Sequence, residues 1–288
     1  MEFVKAHGTG NDFVVLEDLG DRLDVGPEFV RLVCDRHFGI GADGLIRICP
    51  GSAARFFMDY RNADGSVAEM CGNGVRVVGK YLGDRGHVAG GFGLETPAGV
   101  KRLELVRDRH GKVDRVSVDM GAPSFERADL PMTGEGEAVK EPLEAGGRVY
   151  EATCLSMGNP HAVVFVDDVD SAPVTVDGPA LERHAAFPHL TNVEFVQVVD
   201  QHTLRQRTWE RGVGETLACG TGACAVAVAG QVRGFTGRRV AVELRGGRLD
   251  LEWAPGPGGA VRMTGPAREV AYGTLAPDLL SALGHTTR

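Results

Sequence analysis

Short apolar stretches, each ended by polar or turn-forming residues, recur along most of the chain. FVVLED (13–18), GLIRI (44–48), RFFMDY (55–60), KRLELV (101–106) and RVSVDM (115–120) are rich in β-branched or aromatic residues and bounded by Gly, Pro, Asn or Asp, which predicts strands. HAVVFVDD (161–168), NVEFVQVV (192–199), TLRQRTW (203–209), RVAVEL (239–244) and RLDLEW (248–253) continue the series. Helical spacing is scarcer. PEFVRLVCDRHF (27–38) places Pro27 at a first helical position and sets Phe29, Leu32, Val33 and Arg36 along one face. ALERHAAF (180–187) resembles it, and Gly26-Pro27 and Gly178-Pro179 are each expected to open a short helical stretch. Two further runs, VRVVGKYLGD (75–84) and ACAVAVAGQVRG (223–234), are apolar over most of a helix surface, as only a buried helix can be.

Each of those two runs follows a Cys-Gly-x-Gly motif, at Cys71 and at Cys219, and 219 − 71 = 148, close to half the chain. The same offset carries Asn11 onto Asn159, and Glu95, Gly99, Leu103 and Glu104 onto Glu243, Gly247, Leu251 and Glu252. A chance match of one short motif would not extend to both sides of it, so the chain reads as a tandem duplication. The two Gly-Pro pairs are offset by 152, so small compensating loop changes lie between. The expected fold class is α+β: two pseudo-symmetric domains, each a mostly antiparallel curved sheet or barrel wrapped around a central buried helix. Residues 1–120 and 121–265 would form the two halves, with 266–288 packing back on the first. The Gly-, Pro- and Glu-rich stretch 121–147 would join them, and APGPGG (254–259) would be a hairpin turn.

Composition narrows the function. A chain of 288 residues exceeds the roughly 100–200 of one domain, and 43% apolar with 24% charged residues is ordinary for a globular protein. Forty-one glycines, about twice the usual ~7%, suit many short elements joined by tight turns. A net charge of −8 argues against a nucleic-acid or acidic-membrane partner, which needs a positive surface. No run reaches the roughly 18 apolar residues of a membrane span, and the opening MEFVKAHGTGND has no apolar signal region, so a cytoplasmic protein is expected. The six cysteines, at 34, 49, 71, 154, 219 and 224, should then be thiols. None forms a C-x-x-C pair, and Cys219 with Cys224 has the wrong spacing for zinc, so no metal is expected.

A cysteine just ahead of a buried helix has a chemical meaning. The first N–H groups of a helix lack intrahelical partners and the macrodipole is positive there. Glycines at 72, 74, 220 and 222 let an anion approach those amides, and the same field favours a thiolate. If two such helix ends serve one α-carboxylate, with their cysteines on opposite faces of the Cα, one thiolate can remove the α-proton while the opposite thiol delivers another. The carbanion would be stabilised by preorganised amides without a cofactor. Cys34, Cys49, Cys154 and Cys224 read as inert core thiols.

At these residues the sequence resembles the diaminopimelate epimerases. KAHGTGNDFVV, HFGIGADGL, NADGSVAEMCGNGVR, MGNPHAVVFVDD, TNVEFVQV and WERGVGETLACGTGACA follow one another in that family's order over most of the chain. The resemblance implies pyridoxal-independent interconversion of LL- and meso-diaminopimelate, with no cofactor, in the route to lysine and peptidoglycan precursors. It implies Cys71 and Cys219 as the catalytic pair, with His161 and Glu210 close to the chemistry. The amides of Gly72, Asn73, Gly220 and Thr221 would hold the reacting carboxylate. Asn11, Asn62, Asn159, Asn192 and Arg211, with Glu210, would bind the distal amino-acid centre, and the protein would be a homodimer. A distal zwitterion does need carboxylate donors such as Arg211 and amine acceptors such as Asn carbonyls or Glu210. By themselves, the asparagines sit in turn contexts and His161 could be a structural histidine. Alternatives are a racemase of another amino acid such as proline, a cysteine hydrolase pairing Cys71 with His161, a Cys71–Cys219 redox switch, and a non-catalytic amino-acid-binding module.

Overall fold

Turn residues interrupt the apolar stretches before most of them can complete three helical turns, so strands predominate. The computed structural model describes residues 1–68, 70–256 and 258–281. It divides into two compact units, one from Met1–Val118 together with the segment starting at Pro266, the other Asp119–Gly265.

The first unit begins with β1 (Glu2–Gly8), β2 (Asn11–Glu17), α1 (Pro27–Cys34), β3 (Gly44–Pro50), β4 (Phe56–Asn62), α2 (Gly72–Asp84), β5 (Phe92–Thr96), β6 (Gly99–Arg107) and β7 (Val113–Asp119). The second holds β8 (Glu141–Ala145), β9 (Arg148–Ser156), β10 (Pro160–Phe165), α3 (Val174–Glu182), β11 (Asn192–Asp200), β12 (Thr203–Glu210), β13 (Gly214–Thr216), α4 (Gly220–Val232), β14 (Arg239–Leu244), β15 (Gly247–Trp253) and β16 (Val261–Pro266). The chain then returns to the first unit as β17 (Arg268–Thr274) and α5 (Pro277–Ser281).

The strand order of the first unit is β17-β1-β2-β3-β4-β5-β6-β7, antiparallel except for β2·β3 and β4·β5. The second repeats it as β8-β9-β10-β11-β12-β14-β15-β16, with its parallel pairs at β10·β11 and β12·β14. The 148-residue offset survives as hydrogen-bond register. Phe13↔Gly44 becomes His161↔Asn192, Phe56↔Leu94 becomes Leu204↔Val242, and the bridge Arg61↔Val67 becomes Trp209↔Glu215 within β13. Both units are therefore the expected pseudo-symmetric halves, each a mostly antiparallel sheet with a central helix.

Those helices are buried by packing rather than by propensity. Val75, Val78 and Leu82 of α2 are completely buried, each contributing roughly 1.5–3 kcal/mol of transfer free energy. Gly79 and Gly83 let β6 and β7 approach, since a Cβ on either would stand within 2.7–3.0 Å of Leu103, Val116, Leu105 or Val113. In α4 the alternation of Ala and Val does the same work, with Val226 and Val228 fully buried.

Two expectations need correction. The stretch 121–147 is part of the second unit rather than a connector: β8 pairs with β9, and Leu130, Met132, Ala138, Leu143 and Ala145 enter the second core. Its apolar residues stand singly among Gly, Pro and Glu, so no run signals their burial, yet β8 fills the sheet position that β17 fills in the first unit. The second short helix spans Val174–Glu182, not 180–187, and Pro179 lies inside it. Pro173 caps it, so the chain enters this helix one turn earlier than the Gly178-Pro179 pair suggests; Arg183 ends it, and residues 183–187 are not helical. APGPGG joins the antiparallel β15 and β16, with Pro257 outside the described residues. Of 266–288, β17 pairs with β1, while Leu275 and Leu280 join α1 in the first core; 282–288 lie outside the described residues.

Candidate functional site

Cys71 and Cys219 occupy the same local structure. Each is the N-cap of its unit's buried helix in an extended conformation, and each sulfur accepts a hydrogen bond from the third helical residue, Gly74 N–H or Gly222 N–H, at 3.4 Å. Sulfur here takes the place of the usual Ser or Asp cap oxygen.

Around Cys71 the first unit assembles amides. Cys71 Sγ lies 3.6 Å from Asn11 Oδ1, which also accepts from Asn73 Nδ2 at 3.2 Å. Asn11 Nδ2 donates to Asp43 Oδ2 at 2.8 Å. Behind them is Arg76, completely buried inside α2, whose guanidinium donates to Asn73 Oδ1 at 2.8 Å, to Thr9 Oγ1 at 3.1 Å, and to the carbonyls of Gly72 and Pro266. A permanent buried cation thus sets the orientation of Asn73 and, through it, of Asn11. Asn62 stands apart from this chain of bonds: its side chain donates to Ser66 Oγ in the turn after β4.

Around Cys219 the second unit assembles acids. Glu210, at the end of β12, accepts a 2.5 Å hydrogen bond from Thr216 Oγ1. Burial raises its carboxyl pKa, opposed by the bonds from Thr216 and Cys219 and aggravated by Glu194. The Cys219 thiol is pushed well above the usual thiol range, first by its burial and then by the charges of Glu210 and Glu194. The acidifying effect expected at a helix N-terminus is present in the Gly222 and Thr221 contacts but is outweighed there. Thr221 Oγ1 is 3.5 Å from the sulfur.

His161 and Glu194, both completely buried, meet through Nδ1 and Oε1 at 2.8 Å, and His161 Nε2 meets Asn159 Oδ1 at 3.0 Å. Asn192 donates to Pro160 O and accepts from Arg211 N–H at 3.0 Å, which leaves it one N–H and one lone pair to offer and fixes the backbone that carries Arg211. The Arg211 guanidinium is exposed and has no partner among the described residues. Within the first unit Cys71, Asn11 and Asn73 come together with the Gly72 helix turn; within the second Cys219, Thr221, Glu210, His161 and Asn159 do, with Asn192 and Arg211 adjoining.

Residue reasoning missed Arg76 and Glu194. Each left a signal, a lone charge inside the apolar runs VRVV and NVEFV, which has to be partnered when buried. The remaining cysteines are buried thiols. Burial raises the thiols of Cys34, to about 12, and of Cys49 and Cys154.

A duplicated fold with a thiol capping each buried helix, one of them beside a carboxyl group, is equipped for proton transfer and defines a class of isomerase-like proteins. The family model described as diaminopimelate epimerase matches residues 3–126 and 153–270. The chain belongs to the diaminopimelate epimerase family. It is 50% identical over 277 residues to the diaminopimelate epimerase of Pelotomaculum thermopropionicum, covering 95% of this chain and 98% of that one. It is 52% identical over 276 residues to that of Desulforudis audaxviator, at 95% and 98% coverage. Among solved structures, a hydroxyproline epimerase from Agrobacterium vitis with bound trans-4-OH-L-proline superposes with a TM-score of 0.68 over 99% of this chain and 93% of its own, at 18% identity. That likeness is one of fold.

Proposed function

We propose that the protein interconverts LL- and meso-diaminopimelate by moving the α-proton between Cys71 and Cys219. The observation that carries this reading is the repetition of one unusual device, a sulfur as helix N-cap above glycine amides, at equivalent positions of two repeats. Packing alone gives no reason to place a thiol there twice. The racemase-of-proline alternative is not favoured, because relatives near 50% identity over nearly the whole chain are diaminopimelate epimerases, whereas the hydroxyproline enzyme shares only the fold.

The chemistry needs one base and one acid. Cys219 enters protonated, since burial and two carboxyl groups oppose its ionisation, and Glu210 takes its hydrogen bond. The base's part in that direction falls to Cys71. Removal of the α-proton places charge on the substrate carboxylate, which the N–H groups of Gly72, Asn73, Gly220 and Thr221 would receive. Each such donor is worth ~2.7–4 kcal/mol in favourable cases, so several supply a useful fraction of the ~8–23 kcal/mol that enzymes provide. Arg211 would take the distal carboxylate, with Asn11, Asn62, Asn159 and Asn192 and Glu210 around the rest of the distal amino-acid centre. Cys219 then delivers its proton to the opposite face and the stereocentre inverts. No cofactor takes part in these steps.

We read the enzyme as cytoplasmic, in keeping with cysteines held as thiols, and as a homodimer; sedimentation equilibrium tests the second. Among the described residues no helix is long and apolar enough to cross a membrane. The decisive test is incubation of LL-diaminopimelate in heavy water. Deuterium should appear at Cα together with the meso isomer, and both should depend on both cysteines. Binding without exchange would reject epimerization.

A further inference from the structure

Glu194 is a carboxylate where the fold provides little for one. It lies on β11 among fully buried apolar neighbours, Val193, Phe195 and Val196, and its Oε2 has no hydrogen-bond partner among the described residues. Its Oε1 faces His161 Nδ1 at 2.8 Å. On its other side it abuts the first turn of α4, so closely that a Cβ on Gly222 would stand 2.6 Å from Oε1. A helix N-terminal turn favours a carboxylate in its ionised form, and an unpaired buried carboxylate is strongly unfavourable. The group that can compensate it is the imidazole. Between a carboxyl and an imidazole the shared proton belongs on the more basic nitrogen. The second ring nitrogen faces the Asn159 carbonyl oxygen at 3.0 Å, an acceptor, so it too carries a proton.

We propose that Glu194 is a positioning residue for the reaction: it holds His161 as a doubly protonated imidazolium, whose Nε2–H pins the Asn159 carbonyl and leaves the Asn159 NH2 as the group presented to substrate. An amide held this way offers a donor to a carboxylate and cannot turn its oxygen outward. The imidazolium also stands as the counter-charge between two acids, Glu194 and Glu210, and its charge opposes the rise of the Glu210 carboxyl. The titratable groups that act on it are Glu194 from β11 and Glu210 from β12; Cys219 from α4 interacts with both of those acids, and Cys154 with Glu194, Glu141 and Arg127. The assignment of a substrate contact to Asn159 rests on the epimerase reading above; the protonation of His161 does not.

The experiment uses the full-length protein labelled with 15N-histidine, its His161 resonances identified by their loss in His161→Gln. In the wild type both ring nitrogens of His161 should show the protonated signature near neutral pH. Glu194→Gln should convert His161 to a neutral ring and lower kcat/KM for LL-diaminopimelate on the order of 10²-fold, whereas Glu194→Asp, which keeps the charge, should restore the imidazolium and part of the activity. A neutral His161 in the wild type overturns the proposal, and does so even if Glu194→Gln does not fold. So does a folded Glu194→Gln enzyme with wild-type turnover and pH profile. Wild-type protein with an imidazolium at His161 but no deuterium incorporation at Cα would overturn the epimerase reading and leave the protonation standing.

Discussion

The two cysteines share a backbone setting and differ in everything behind it. At the first, the strand positions facing the helix are apolar, Phe13, Ile46, Met58 and Tyr60, and the buried charge comes from the helix itself, as Arg76. At the second, the equivalent strand positions are His161, Glu194, Gln206 and Thr208, and the helix carries Cys224 where the first has Arg76. Duplication thus kept the sulfur cap and the glycine amides while the buried charge moved from helix to strands and changed sign. A two-base reaction requires one sulfur to begin as acid and the other as base. Identical surroundings would give both the same proton affinity, so divergence behind a retained cap is what the proposed two-base reaction calls for.

The largest effect expected is on turnover. Cys71→Ala and Cys219→Ala should each reduce interconversion by on the order of 10³-fold or more, measured by chiral separation of the isomers. A protein that tolerates loss of Cys219 would be using Cys71 alone, as a hydrolase would. Next comes the exchanged charge. Arg76→Met strips donors from Asn73, Thr9 and two carbonyls and should cost about 3–5 kcal/mol in urea unfolding, against about 1 kcal/mol for Cys224→Ala. Equal costs would mean that Arg76 is no more structural than its counterpart.

The helix glycines sharpen the comparison further. Alanine at Gly222 would press on Glu194 Oε1 at 2.6 Å and Gln206 Nε2 at 3.1 Å, whereas at Gly74 it meets only the end of Ile46 at 3.1 Å among strand side chains. Gly222→Ala should therefore cost about 2–3 kcal/mol and Gly74→Ala about 1 kcal/mol; the reverse order would contradict the packing described.

The smallest effect expected concerns acid. Burial would raise the pKa of Asp12, but bonds from Arg36 and Lys5 and the Lys5 charge bring it down to about 2 from 3.8. A carboxyl depressed on folding contributes stability above its unfolded pKa and loses it as pH falls from about 4 through about 2. For this partly exposed group about 1 kcal/mol is expected. The equivalent position of the second unit is Pro160, which has no such dependence, so Asp12→Asn should flatten the acid limb of stability, followed by urea titration between pH 5 and 2.

Much of this was legible in the chain. The 148-residue repeat, the strands and the two buried helices follow from local pattern, because turn residues and apolar spacing act over a few positions and the same pattern occurs twice. The Cys-Gly-x-Gly motifs likewise announce a helix cap. The boundary of the short helix at Val174–Glu182 was not legible, since Pro179 is tolerated inside it. Nor was the role of 121–147, whose scattered apolar residues gain meaning only when β8 takes the place at β9 that β17 takes at β1.

Sequence alone determined the duplication, the two capping thiols and the family, because these are carried by identity and spacing along the chain. Tertiary structure decided the charges. Whether a thiol behind a helix end is acidified or held protonated depends on what packs across from it, and Glu194, Glu210 and Arg76 reach their cysteine's neighbourhood only through strand register and helix packing. Coulombic and desolvation energies depend on distance through space and on burial, quantities that residue order by itself does not contain.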